Sequence, residues 1–393
     1  MTIETVTSVW FDRAEREESA RGGARSGVAA GLAGPHSRPG AGERFDVAIV
    51  GAGVTGCACA LALADRGLSV AVYDARTIAG GASGRSGGFA LRGAAPAYDE
   101  AVVTLGREHA RALWQLTERA LDRMADIAGD ALRRCGSLRL ADAQEVAAVR
   151  GEHDALVEDG FAVDWIDDLD GVCGRLFEGA IRHPGDGSLD AVRWVRRLAA
   201  RATDAGARIV EHAPVEVLAD LPAERVVVAT DGYTAGLLPV LDAAVAPARG
   251  QVVATAPLEE RLFRCPHYAR HGYDYWQQLE DGTLVLGGWR DAAFAEETTR
   301  LEAITPLIQE RIEAFLATLV GRVPPITHRW AGIFGVTTSG LPLVGPVASD
   351  ERVWVSAGYS GHGNVLGFAC GELVGRALAG ETVPELELFP QLS

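Results

Sequence analysis

The 393-residue sequence predicts an α/β fold, α+β overall: a Rossmann-type parallel sheet holding a dinucleotide, with a second domain built on an antiparallel sheet. Three observations predict it. Residues 45–74 read as strand, glycine turn, helix and strand. Two further β-branched runs, 224–230 and 353–358, each close on a glycine. Between them, 273–279 alternates and 284–288 reads as a strand, with Asp281-Gly282, a hairpin turn signal, joining the two.

The opening unit is the most specific part. Phe45 to Val50 is an apolar run of buried-strand length that feeds Gly51-Ala52-Gly53-Val54-Thr55-Gly56, a G-x-G-x-x-G. Gly51 permits the tight turn, Gly53 lets a pyrophosphate approach the backbone, and Gly56 lets helix and strand pack closely. The helix start, with Val54 and Thr55, offers free N–H groups to phosphate. The helix over 57–66 stops at Gly67, a second strand covers 68–73, and Asp74 stands where a carboxylate accepts ribose hydroxyls.

Composition excludes several chemistries. Hydrophobic residues make up 48% of the chain, enough for a large core, and no apolar run is long enough to span a bilayer. The formal charge of −16 argues against nucleic acid and anionic membranes as partners. All 37 basic residues are arginine, so a Schiff-base or P-loop lysine is excluded. The six cysteines show no metal-type spacing, so no metal site is expected. With no signal-peptide pattern, they fit a reduced, cytoplasmic setting.

Residues 1–44 read as a flexible N-terminal tail, with a charged run over 13–21 and a Gly/Ala/Ser/Pro-rich stretch over 22–42. Ser8-Val9-Trp10-Phe11 is the exception, and it either docks on the body or a partner or is disordered.

After the first unit comes Gly81-Ala82-Ser83-Gly84-Arg85-Ser86-Gly87-Gly88, which resembles the second glycine loop of the D-amino-acid-oxidase-like flavoprotein superfamily, with Ser86 in place of its Asn. The resemblance implies FAD, held non-covalently, with Ala82, Ser83, Arg85, Ser86, Gly87 and Gly88 against the cofactor. It also implies a discontinuous FAD-binding domain of 45–95, 185–245 and 330–393, and a substrate domain of 96–184 and 246–329. The helices expected over 99–127 and 142–159 belong to the latter and carry no nameable chemistry. The 184–190 turn leads to a helix over 191–205 and a strand over 208–211, and by resemblance the backbone of Val215 contacts adenine. A further amphipathic helix is expected over 301–320.

The second strong motif is Gly358-Tyr359-Ser360-Gly361-His362-Gly363-Asn364, a strand running through glycines into a helix that ends near Leu378. It looks most like amine oxidoreductases related to gamma-glutamylputrescine oxidoreductase. The resemblance puts this helix start at the pyrimidine edge of the flavin, with His362 close by.

The chemistry implied is oxidation of a C–N bond in a small amine, with oxygen or an electron carrier as acceptor. The oxygen-activating lysine of sarcosine-oxidase-like enzymes cannot exist here. Glycine-oxidase-like relatives often carry W-A-G-[LI]-R-P, whose arginine binds the substrate carboxylate, whereas this chain reads Trp330-Ala331-Gly332-Ile333-Phe334-Gly335. Phe334 at that position weakens an α-amino-acid reading, although Arg92 or Arg290 could hold a carboxylate from another direction. Tyr273 and Tyr275 fall on one strand face and Trp276 on the other, so the tyrosine pair is the candidate for holding a cationic amine. The alternatives are an amino-acid oxidase or dehydrogenase of the same fold, and a flavin-binding subunit docking through Trp10 and Phe11.

Overall fold

The computed structural model describes residues 7–20 and 42–392. Its first layer is a six-stranded sheet in the order 343–347, 350–357, 223–228, 45–50, 70–73, 208–210. The last five are parallel to one another, and only Leu343–Val347 runs antiparallel, against Asp350–Ala357. Numbered along the chain, the parallel strands lie in the doubly wound 3-2-1-4-5 order, which puts a crevice beyond their carboxyl ends at the first strand.

Helices Val54–Ala64 and Val365–Leu378 pack together on this sheet at unusually close range. Gly367, Gly371 and Gly375 recur every fourth residue and share one helix face. A Cβ at Gly371 would stand 2.4 Å from the Thr55 carbonyl oxygen, so only glycine lets the backbones approach this far. Both helices begin at the crevice.

The second layer is an eight-stranded sheet in the order 326–336, 246–255, 284–288, 274–278, 267–269, 137–141, 179–183, 164–166. It is antiparallel except where His267–Ala269 runs beside Ser137–Ala141. Trp276 is fully buried under the sheet against Pro306–Val320, on the face opposite Tyr275, as alternation requires. A small sheet of Phe89–Ala90, Gly187–Leu189 and Leu132–Arg133 completes the set.

Several boundaries differ from those read in the sequence. The helix expected over 99–127 is two, Tyr98–Leu105 and Arg107–Ala128, because Gly106 takes φ +89° between them. The helix expected from 301 begins at Pro306, a residue suited to a first turn because it needs no N–H partner.

At the N-terminus, residues 8–11 take the docked alternative, and the helix they start was not expected. Within the expected tail, Val9–Ala20 is a helix whose Val9, Trp10, Phe11 and Ala14 are buried in the main core. Its apolar residues fall at the start and its charges face outward, so burial of one short face offsets the polar remainder. Residues 1–6 and 21–41 of that expected tail lie outside the described residues.

Candidate active site

A single long cavity of about 1120 Å³ lies between the carboxyl ends of the parallel strands and the inner face of the eight-stranded sheet. Val50, Asp74 and Thr230 line it from one side, and Gly250, Tyr275 and Gly332 from the other. Pockets for one small ligand run to roughly 300–1,000 Å³, so this volume suits a large cofactor together with a substrate.

At one end, Gly53 caps the helix Val54–Ala64 without a side-chain hydrogen bond of its own. The Val54 N–H donates instead to Ser83 Oγ at 3.0 Å, which joins the first glycine turn to the second glycine loop. A Cβ at Gly53 would meet that oxygen at 2.9 Å. Asp74 Oδ2 accepts the Ala52 N–H and Oδ1 the Arg76 N–H, both at 2.7 Å, so the carboxylate is fixed while each oxygen keeps a lone pair for a ligand hydroxyl. Burial raises its pKa above the usual carboxylate value against these two hydrogen bonds. Val215 lines the cavity beside Pro214 and Glu216.

Most residues of the three glycine motifs reach the cavity, including Gly51, Ala82, Arg85, Ser86, Gly87, Gly361, Gly363 and Asn364. Gly56, Gly88 and Gly358 do not, contrary to their placement as cofactor contacts. Gly56 packs on Gly51, where a Cβ would stand 1.9 Å from its carbonyl oxygen. Gly88 and Gly358 take φ +77° and +88° and shape the wall from behind. Thr55 and Tyr359 line the cavity but spend their hydroxyls on each other at 2.9 Å, and Tyr359 also bonds Ser356.

The second helix start, at Val365, is also free of a side-chain cap, because Asn364 Nδ2 donates to the Phe89 carbonyl at 2.8 Å. Such a start favours negative charge. His362 lines the cavity with its Nδ1 buried and unpartnered. Burial, helped by the Arg139 charge, pushes its pKa down to about 4, so the ring is neutral at physiological pH.

Sequence reasoning missed the residue that holds this corner. Asp231, at φ +50°, accepts the Gly335 N–H at 2.6 Å and the Gly358 N–H at 2.7 Å. It therefore ties the end of strand Ile326–Val336 to the loop that leads into His362. The signal available was an acidic residue at a strand end, which is too common to single out.

Tyr275 and Tyr273 both line the cavity. The Tyr275 ring lies over Gly287 and beside Gly87, where a Cβ would come within 2.8 Å of it, and Phe89 meets its edge-on face at 5.8 Å. Beyond Leu284–Gly288, Trp289 adopts the left-handed conformation at φ +62°, at a cost of about 1–2 kcal/mol. That turn is held by the Trp289 N–H to the Tyr273 carbonyl at 2.6 Å and by Arg270 over the indole at 4.4 Å. It brings Arg290 back over the cavity, its guanidinium carbon 5.0 Å from the Tyr273 and Phe294 ring centres and 5.5 Å from Phe334. Among the described residues no carboxylate pairs with it.

Arg92 differs. It lines the cavity but its side chain is 4% exposed, with Nη1 on Glu118 at 2.7 Å, Nη2 on the Ala162 carbonyl at 3.1 Å and Nε 3.6 Å from Asp186. Its guanidinium lines the cavity with Nη1 and Nη2 each already engaged once, which leaves it less open to a substrate carboxylate than Arg290. The same inner wall holds the buried pair Arg139–Glu152, His183 and Tyr268, none of which the sequence pointed to. Burial and the charges of Arg92 and Arg139 keep His183 neutral, while burial pushes Asp186 up to about 6.

The residues fit FAD: two helix starts, of which the first gives only its Val54 N–H to Ser83, a ribose-type carboxylate and a glycine loop surround one cavity of sufficient volume. No cysteine among the described residues lines it. A family profile described as FAD dependent oxidoreductase matches residues 46–377. The chain is 29% identical over 384 residues to "Probable oxidoreductase OrdL" of Rhizobium meliloti, covering 89% of this chain and 86% of that protein. It is 26% identical over 367 residues to gamma-glutamylputrescine oxidoreductase of Escherichia coli, covering 86% and 84%. The solved structure of glycine oxidase from Geobacillus kaustophilus superposes with a TM-score of 0.71 at 23% identity, covering 89% of this chain and 98% of that one.

Proposed function

The chain belongs to the FAD dependent oxidoreductase family, and we propose that within it the chain oxidises the C–N bond of a small amine, polyamine derivatives being the first class to test. Bound FAD would supply the hydride acceptor for the carbon next to nitrogen, and the imine so formed would be hydrolysed by water. The observation that carries the amine reading is Phe334, an apolar ring in the cavity wall where the resemblance places a carboxylate-binding arginine. Around it the Tyr273 and Tyr275 rings offer faces to a cationic amine and its methylenes. Neutral His362 adds no positive charge beside the amine, and among the described residues the one cation against these rings is Arg290, which stands over Tyr273. Oxygen or an electron carrier would take the electrons onward.

The second reading, an amino-acid oxidase or dehydrogenase, draws support from Arg290, whose guanidinium, without a carboxylate partner among the described residues, faces the same cavity. The subunit reading loses its motive, since Trp10 and Phe11 are buried in this chain's own core. In the proposed division into domains, we keep 45–95 and 185–245 with the FAD-binding domain and 96–184 with the substrate domain. We move the boundary at 330 to follow Val336, because Ile326–Val336 is one strand of the large sheet.

The test is anaerobic mixing of the FAD-loaded protein with a panel of amines, polyamine conjugates and D- and L-amino acids, following the flavin band. Bleaching by amines lacking an α-carboxylate supports the proposal. Bleaching by amino acids alone transfers it to the Arg290 reading.

A further inference from the structure

The glycine loop after the second strand is pinned from outside at five consecutive carbonyls. Ser8 Oγ donates to the Gly84 oxygen at 2.7 Å, Trp330 Nε1 to the Arg85 oxygen at 2.8 Å, and Trp10 Nε1 to the Ser86 oxygen at 2.8 Å. Gln277 Nε2 then donates to the Gly87 and Gly88 oxygens at 2.6 and 2.9 Å. Two of these five carbonyls are held by the N-terminal segment, which sequence composition assigned to a tail.

A trans peptide points its carbonyl and the following N–H in opposite directions. Holding the Gly84 oxygen toward Ser8 fixes the short 3-10 turn Ala82–Arg85, within which the Arg85 N–H is spent, and holding the Ser86 oxygen toward Trp10 turns the Gly87 N–H the other way. Arg85, Ser86 and Gly87 all line the cavity, whereas Ser8 and Trp10 are both fully buried on the loop's far side. The fit is steric as well: a Cβ at Gly88 would stand 2.6 Å from the Trp10 ring, and one at Gly84 3.0 Å from the Phe11 ring.

The helix is latched to three other elements. Arg13 pairs with Asp281 of the hairpin and lies 3.7 Å from Asp190 at the start of Ala191–Asp204. Glu17 and Glu18 reach Arg193 and Arg196 of that helix at 3.2 and 2.7 Å, and Asp12 lies 3.4 Å from His328. Such partly exposed pairs are individually weak, so the buried Val9, Trp10, Phe11 and Ala14 supply the attachment and the charges its register.

We propose that the helix Val9–Ala20, through Ser8 and Trp10, is a positioning element of the cofactor site that fixes the loop's turn and the direction of its Gly87 N–H facing FAD. The proposal rests on FAD occupying this cavity. It makes the N-terminal segment part of the dinucleotide site although neither donor touches the cofactor.

The test compares wild type with Ser8→Ala, Trp10→Phe and the double variant, each stripped of FAD and titrated with FAD by fluorescence quenching, with the bound visible spectrum recorded. Melting temperatures of the stripped proteins are measured alongside. Loss of one such hydrogen bond corresponds to roughly a 2- to 13-fold change in a binding constant. The expected result is a several-fold weaker FAD affinity for each single variant, a larger loss for the double, and an altered flavin spectrum. Unchanged FAD affinity and spectrum, with only a lower melting temperature, overturns the proposal. Should Trp10→Phe fail to fold, Ser8→Ala decides alone, since it removes a hydroxyl and leaves the rings in place. Failure of wild type to take up FAD would defeat the underlying cofactor reading instead.

Discussion

The guanidinium carbon of Arg290 stands 5.5 Å from the ring centre of Phe334. Phe334 lies on Ile326–Val336 and Arg290 on the turn that follows Leu284–Gly288, two strands that do not pair with each other and have Ala246–Thr255 between them. A cation and an apolar ring thus share one wall of the cavity. If Arg290 binds a substrate carboxylate, Arg290→Gln should weaken binding of carboxylated amines by about 10- to 100-fold, the range for a charge-assisted hydrogen bond. Uncharged amines should be affected little. Flavin-band titrations with aliphatic carboxylates and their matched amides check this, and equal effects on both would reject a carboxylate role.

Asp231 joins two backbone segments through one carboxylate. Asp231→Asn keeps an αL-tolerant side chain but sets an amide N–H₂ against one of the two backbone donors. The expected cost is about 2 kcal/mol of stability, with weaker FAD retention because the Gly358 loop is released. Urea unfolding and FAD titration measure the two effects separately.

His267 and His362 are both held neutral, each pushed down to about 4 by burial. An unfolded histidine takes up its proton near pH 6.5. Between about 6.5 and 4, therefore, the unfolded chain binds protons that the folded chain refuses, and stability falls as the pH drops through that window. Asp186, pushed up to about 6, works in the opposite sense between its unfolded value and 6 and offsets part of the loss. His267→Gln should shrink the stability difference between pH 7 and pH 5 by about 1–2 kcal/mol, as read by urea unfolding at the two values.

Because His362 is neutral well below physiological pH, the acid limb of the reduction rate should follow the substrate amine. His362→Gln is expected to slow flavin reduction by about two- to tenfold, the range for one neutral hydrogen bond, while that limb stays put, and the limb should move with amines of different basicity. Stopped-flow reduction across pH 5–9 gives both readings.

The parts legible in the sequence were those where local chemistry decides the outcome. The turn from Gly51 to Gly56, Asp74 and the loop before His362 carry their function in residue type and spacing, and the cavity gathers them. The opposed faces of Tyr275 and Trp276 followed from strand alternation. What stayed hidden depends on partners distant in the chain. The apolar start of the N-terminal helix has meaning only against Gly84 and Ser86, 76 residues on. Arg92 and Arg290 look alike as letters, yet Asp186 and Glu118 occupy the one while aromatic rings surround the other. The inner wall of Arg139, Glu152 and His183 is assembled from a helix and two strands without a shared motif.

The central claim is that this cavity uses FAD to oxidise the carbon beside an amine nitrogen. Its most direct test is a single anaerobic turnover with the amine that bleaches the flavin fastest, run beside the same amine deuterated at that carbon. The account predicts that deuteration slows bleaching several-fold and that one carbonyl product forms per flavin reduced. Bleaching by a nicotinamide alone, with no amine or amino acid reducing the flavin, would contradict it.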